Sequence, residues 1–185
     1  MSETTESALF VSTTVLQQAL DLVNNVLTQD NQLTAQSKYL PGSTIGKHLR
    51  HARDHFILLL DCVTGAEPYV LSYDIRSRNT PMESNLFEAR QALTNAISRL
   101  KEIEISPPTE LDQTMTLNAV TPFSQTFQTT FGRELWFAGL HTVHHWSMVR
   151  VIAGELGITL PDDFGFAPST LVYKGSDAVL GKAKI

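Results

Sequence analysis

Leu9, Leu16, Leu20, Val23 and Leu27 recur at spacings of three, four and seven through a polar background. That period is one face of an amphipathic α-helix and predicts a first helix over residues 6–28. The polar stretch from Thr28 ends in Pro41-Gly42, which breaks it, and Ser43 offers a cap for a second helix over 44–64. In that helix Ile45, Leu49, Ala52, Phe56, Leu59 and Val63 form an apolar stripe, stopped by Gly65. Residues 66–79 contain Pro68 and no helical period, so they predict a loop.

Thr80-Pro81-Met82-Glu83 is a start signal: a capping Thr, Pro at the first helical position and Glu placed to close a capping box. Leu86, Leu93, Ile97 and Leu100 continue a third helix over 81–104, and Ser106-Pro107-Pro108 ends it. From Leu111 to Thr130 the chain becomes rich in Thr, Gln and Phe, with partial alternation on both sides of Val120-Thr121-Pro122. A short hairpin is the expectation there, with an irregular crossover as the alternative. A fourth helix spans 131–156 before Gly157, and the tail 160–185 reads as a packed, extended loop whose Phe164 to Thr170 segment is placed to cover a site.

Four amphipathic helices with one longer crossover before the last predict an all-α fold, a four-helix bundle, as one domain over 1–185. The formal charge is −5, from 14 Lys plus Arg against 19 Asp plus Glu, so no general cationic field attracts nucleic acid. The acidic N-terminus lacks the pattern of a signal peptide, and charged residues interrupt every apolar run well short of bilayer length. A single cysteine, Cys62, fits a reducing compartment and reads as a small buried hydrophobe, not a nucleophile. A cytoplasmic protein with no membrane partner is the expectation.

The chemistry lies in the histidines. Advancing the fourth helix by about 100° per residue groups His141 and His145 with Ala138, Val149, Ile152 and Leu156, with Glu134 two turns earlier on the same stripe. His144 rotates away towards Arg133 and Glu155, as a rim residue or proton shuttle. Two imidazoles on an apolar face want a proton partner, for which Glu134 is a candidate, or a metal. A metal needs a third ligand from elsewhere, and His48, His51 and His55 lie on one flank of the second helix, with His48 and His55 nearer its apolar stripe.

Thr44-Ile45-Gly46-Lys47-His48-Leu49-Arg50-His51, followed by His141-Thr-Val-His144-His145, resembles the DinB/YfiT-like superfamily of four-helix-bundle metalloproteins. The resemblance implies His51, His141 and His145 as metal ligands; the periodicity of the second helix instead makes His48 the competitor for its position, with His55 third. Zn²⁺ or Ni²⁺ is the implied metal, and three histidines leave an open position for water or substrate. The resemblance further implies a metal-dependent enzyme, a thiol-dependent S-transferase drawing on a low-molecular-weight thiol or else a hydrolase, acting on a small molecule. Arg76 and Arg78, just before the third helix, are candidates to receive an anionic substrate group, and Glu134 and His144 to support the ligands. The alternatives are a non-enzymatic metal-binding or interaction module, including a homodimer through an exposed face, and a structural domain whose histidines only hydrogen-bond.

Overall fold

The structure, a computed structural model, describes residues 3–105 and 110–182. The expected helix stop at Ser106-Pro107-Pro108 therefore lies outside the described residues. The chain is mostly helical with one small sheet. The four long helices are α1 (Glu3–Asp21), α3 (Ile45–Val63), α4 (Leu86–Ile105) and α5 (Phe131–Glu155), and the short α2 (Asn31–Thr34) lies between the first two. Helix α3 packs on α5 and α4, and α1 packs on the same two. No helix among the described residues is long and apolar enough to cross a membrane.

The apolar periods become the core. All six stripe residues of α3 are buried, together with Leu9, Leu16, Val23 and Leu27 from the first helix and Leu93, Ile97 and Leu100 from α4. Trp146 is wholly enclosed, and its indole N–H donates to the Val15 carbonyl at 2.8 Å, which ties α5 to α1. Leu156, expected on the buried stripe of α5, is instead 39% exposed, because it is the C-terminal cap of that helix and Gly157 turns the chain away at φ 71°.

Several boundaries differ from expectation. The first helix closes as a π-helical turn over Leu22–Val26, and Thr44, not Ser43, caps α3 by accepting from the Lys47 N–H at 3.2 Å. The Thr80-Pro81-Met82-Glu83 signal begins a single 3-10 turn, Pro81–Glu83, and α4 starts only at Leu86. The turn is pinned to α3 instead of continuing: the Glu83 main chain lies so close to Gly46 that a β-carbon there would run into it, and the Glu83 carboxylate accepts from Arg50 Nε at 3.2 Å. The chain re-enters a helix under a second cap, the Asn85 side chain accepting from the Glu88 N–H at 3.0 Å.

The crossover before α5 is a hairpin of β2 (Thr114–Ala119) and β3 (Gln125–Thr130), antiparallel from Thr114 opposite Thr130 to Ala119 opposite Gln125. Its partner on the far side of β2 is β1 (Val70–Leu71), parallel and two residues long, inside the stretch expected to be all loop. The tail is not extended. It forms α6 (Pro168–Tyr173) and a 3-10 turn at Val179–Gly181. The segment before it packs on the Trp146 side of α5, where Phe164 stacks at 6.0 Å and Gly165, at φ 76°, sits too close to the Trp146 main chain for any side chain.

Candidate metal centre

Helices α3 and α5 face each other, and that pairing brings together histidines 90 residues apart in sequence. The Nε2 atoms of His51 and His141 are 3.0 Å apart, and those of His145 and His141 are 3.1 Å apart. One nitrogen from each of the three lies within 4.8 Å of the others, and all three side chains are half-buried. Nitrogens held at about 2.0–2.1 Å by one ion lie about 2.9–3.4 Å apart for angles between square and tetrahedral, so both separations suit ligands of a single centre.

Protonation states suit the same purpose. Burial pushes the His51 pKa down to about 3, helped by the neighbouring His55 and His141, and pushes His141 to about 4 and His145 to about 2. All three rings are therefore neutral at pH 7, each with one lone pair. Without a cation the cluster is awkward, because Nε2 of His141 meets two other ring nitrogens with a single sp² lone pair to offer.

The surrounding residues explain the placement. His48 does not join the convergent trio; its Nδ1 lies 2.7 Å from Nδ1 of His145, on the side of that ring away from the cluster. When His145 uses its Nε2 lone pair as a ligand, its Nδ1–H donates to His48, which fixes the ring as outer hydrogen bonds to metal-bound histidines do. The His48 proton then sits on Nε2, a buried atom with no hydrogen-bond partner. His55 donates its Nδ1–H to the His51 carbonyl at 2.9 Å and packs its ring 4.2 Å from His141 and 4.7 Å from Tyr73. His144 is exposed at the rim, its ring 5.2 Å from that of His145.

Glu134 is 1% exposed and hydrogen-bonds to none of the three histidines. Its carboxylate accepts from Thr129 Oγ1 at 2.7 Å, Tyr73 Oη at 3.0 Å and Arg133 Nη1 at 3.4 Å, so its link to the cluster runs through Tyr73 and the ring of His55. Tyr73 is the residue that the sequence patterns do not single out. A buried Glu on α5 demands a donor, and Tyr73 stands in the same short segment as the arginines.

That segment is held in place by Asp74, whose carboxylate accepts from the Val120 N–H at 2.8 Å and from Thr121 Oγ1 at 2.7 Å. Arg76 then lies with Nη1 3.2 Å from Nδ1 of His51, while Arg78 is exposed and has no hydrogen bond or ion pair among the described residues. A guanidinium only donates, so in this arrangement His51 Nδ1 accepts and its proton is on Nε2. Ligation through Nε2 moves that proton to Nδ1, where it opposes the Arg76 donor. The residues fit a divalent ion on that one condition, that Arg76 leaves His51.

No family model matches the chain, and no solved structure matches it. In sequence it is similar to FK506-binding protein 5 of Rhizopus delemar, 35% identical over 160 residues. The match takes in 86% of this chain and 36% of that protein, so the chain spans about a third of the length of the curated relative it matches.

Proposed function

We propose that the chain is a divalent-metal-binding protein with a DinB/YfiT-like four-helix-bundle fold, in which His51, His141 and His145 hold Zn²⁺ or Ni²⁺. The observation that carries this reading is the convergence of three neutral Nε2 atoms from two facing helices, at 3.0 and 3.1 Å. A bound ion supplies Lewis acidity and lowers the pKa of a water or thiol, which suits a thiol-dependent S-transferase or a hydrolase acting on a small molecule.

The chain's own residues do the rest. His48 Nδ1 accepts from His145 Nδ1–H and orients that ring, and Glu134 fixes Tyr73, which packs flat on His55 beside His141. Arg76, displaced from His51 by ligation, stands exposed at the rim, free to pair with an anionic substrate group. His144, exposed beside both α5 ligands, is placed to pass protons to solvent.

A non-enzymatic interaction module is the second reading. It is favoured by the exposure of Trp136 and Leu140 on α5, half-open apolar side chains that line a small cleft against Ala8 and Val11 of α1. It is also favoured by a relative that is far longer than the shared segment.

Elemental analysis of protein expressed with Zn²⁺ and Ni²⁺ supplied tests the metal. One equivalent per chain is expected, and its absence from the His141→Ala/His145→Ala double variant. A chain that carries no metal, or a double variant that keeps it, sinks the reading. Turnover of a thiol and electrophile pair by the loaded protein separates the enzyme from the module.

A further inference from the structure

The small sheet has two edges, and the chain treats them differently. Strand β1 is two residues long, and beyond it the Asp74 carboxylate takes the Val120 N–H at 2.8 Å, so little of that edge is left open. The other edge, β3, is six residues long and exposed from Gln125 to Gln128.

The register tells which backbone groups of β3 are open. The Thr116 N–H donates to the Tyr69 carbonyl at 2.9 Å, so Thr116 turns its groups towards β1, and its neighbours Met115 and Leu117 turn theirs towards β3. Leu117 lies opposite Phe127, and the Phe131 N–H donates to the Gln113 carbonyl at 3.0 Å in the same alternation. Phe127 is therefore spent on β2. Thr126 and Gln128 point their N–H and C=O groups away from the sheet, where they meet no backbone partner among the described residues.

An open edge is ordinarily blunted by charge, proline or a bulge. This one carries none of them. From Gln113 to Gly132 the sequence has no Asp, Glu, Lys or Arg, although the whole chain has 14 Lys plus Arg and 19 Asp plus Glu. The pairing of β2 with β3 runs without a bulge, and Pro122 lies in the turn outside both strands. Phe127, in the middle of the edge, is 46% exposed.

We propose that β3 is a docking edge for a second copy of the chain, the two β3 strands pairing antiparallel about a two-fold axis at Phe127. This register alone pairs the two open residues with each other: Thr126 exchanges two backbone hydrogen bonds with Gln128 of the second copy, and symmetry repeats the exchange. The two Phe127 rings then meet at a non-hydrogen-bonded site with their β-carbons about 4.5–5.5 Å apart, and Gln125 lies opposite Thr129. A second copy brings what the edge needs, the same alternation of open groups with no charge set against its own like. Because β1 offers no comparable edge, association closes at two copies and does not run on into a filament. The contact is small, below the roughly 1,200 Å² of stable interfaces, so the dimer is weak and reversible. It depends on neither reading of the histidines.

Sedimentation velocity of the full chain in EDTA, from about 10 µM to about 1 mM, is expected to show a monomer–dimer equilibrium. Over the same range, amide hydrogen exchange at Thr126 and Gln128 should slow with concentration, while Phe127, already bonded to Leu117, changes little. Phe127→Lys sets two like charges on the axis, and Gln128→Pro removes an outward N–H that β2 does not use. Each is expected to weaken the dimer about tenfold or more, whereas Trp136→Lys on α5 should leave it intact. A chain still monomeric at about 1 mM overturns the proposal, whether the edge stays in water or takes a strand from another protein. So does a dimer that survives in either folded edge variant, or one that a folded Trp136→Lys variant no longer forms.

Discussion

On the α5 side of α3, His48 and His51 meet His141 and His145 with no acidic side chain in direct contact. On the α4 side, Arg50 and Arg53 meet Asp54 and Glu83 in a chain of ion pairs between 3.2 and 3.5 Å. Both flanks bring polar groups out of water, and each meets the desolvation cost differently. The acid–base flank sets each cation against a carboxylate, although burial still pushes the Asp54 pKa up against the pull of Arg50 and Arg53. The imidazole flank gives up its charge, and the result is four neutral rings whose lone pairs crowd together. One flank is closed by its own ion pairs, and the other leaves neutral ring nitrogens facing one another.

The sharpest way to break this contrast is to unpair the closed flank. In Glu83→Ala, Arg50, which is 7% exposed in the native chain, loses the carboxylate on its Nε. Chemical denaturation is expected to show a loss of about 3–5 kcal/mol, the cost of leaving a buried charge partly unpartnered. Metal content per folded chain should not change. A loss below about 1 kcal/mol would mean that water already solvates Arg50 and that the flank is not closed.

The same kind of truncation on the other flank should act in reverse. His145→Ala removes one of the crowded rings, so the metal-free chain is expected to keep its stability within about 1 kcal/mol. Metal affinity, read by competition with a chelating dye, should fall more than about 100-fold. A large loss of stability in the metal-free variant would show that the histidines are there to hold each other.

How far the sequence shows this contrast depends on the interactions that place each residue. His141 and His145 share one helix, so a 3.6-residue period puts them on one face, and the apolar stripes of α3 and α4 mark the buried side by the same rule. The choice between His48 and His51 depends on how α3 is turned against α5, which periodicity within one helix does not contain. The opposite flank is less legible still. Arg50, Arg53 and Asp54 look like an ordinary solvated charge run, and only the 3-10 turn at Pro81–Glu83, held against Gly46, brings in the carboxylate that closes it. The start signal at Thr80 reads as the first turn of α4, yet a capping box specifies one turn and does not set the length of helix behind it. Strand β1 is two residues long and owes its place to β2, more than forty residues away, so no local pattern announces it.

Acid should separate the flanks again, with a smaller effect. The folded pKa values of His48 and His141 are lowered to about 4 and that of His51 to about 3, from 6.5, chiefly by burial. Between about 6.5 and 4 the unfolded chain binds more protons than the folded one, so stability is fully present above that window and is lost as pH falls through it. The metal-free protein is expected to lose about 5–10 °C in Tm from pH 7 to pH 5, a figure reduced for the partial exposure of these rings. The His141→Ala/His145→Ala variant should lose less over the same interval, since two of the rings that resist charging are gone. Equal slopes would move the acid sensitivity elsewhere in the chain.

The smallest expected effect tests the finest distinction, that between His51 and His48. His48 Nδ1 lies 2.7 Å from His145 Nδ1, outside the convergent trio, so if His145 ligates through Nε2, His48 accepts from its Nδ1–H and stands behind the ligand. His48→Phe keeps a ring of similar size and removes the acceptor, so it is expected to weaken metal binding by about 10- to 100-fold while leaving one equivalent bound at saturation. His51→Phe should abolish stoichiometric binding instead. If the two variants exchange behaviours, the ligand from α3 is His48, and the Arg76 contact at His51 Nδ1 then loses its bearing on ligation. If neither matters, the pair on α5 holds the metal without α3. The facing of the two helices would then be a packing solution, and the convergence of the three Nε2 atoms its by-product.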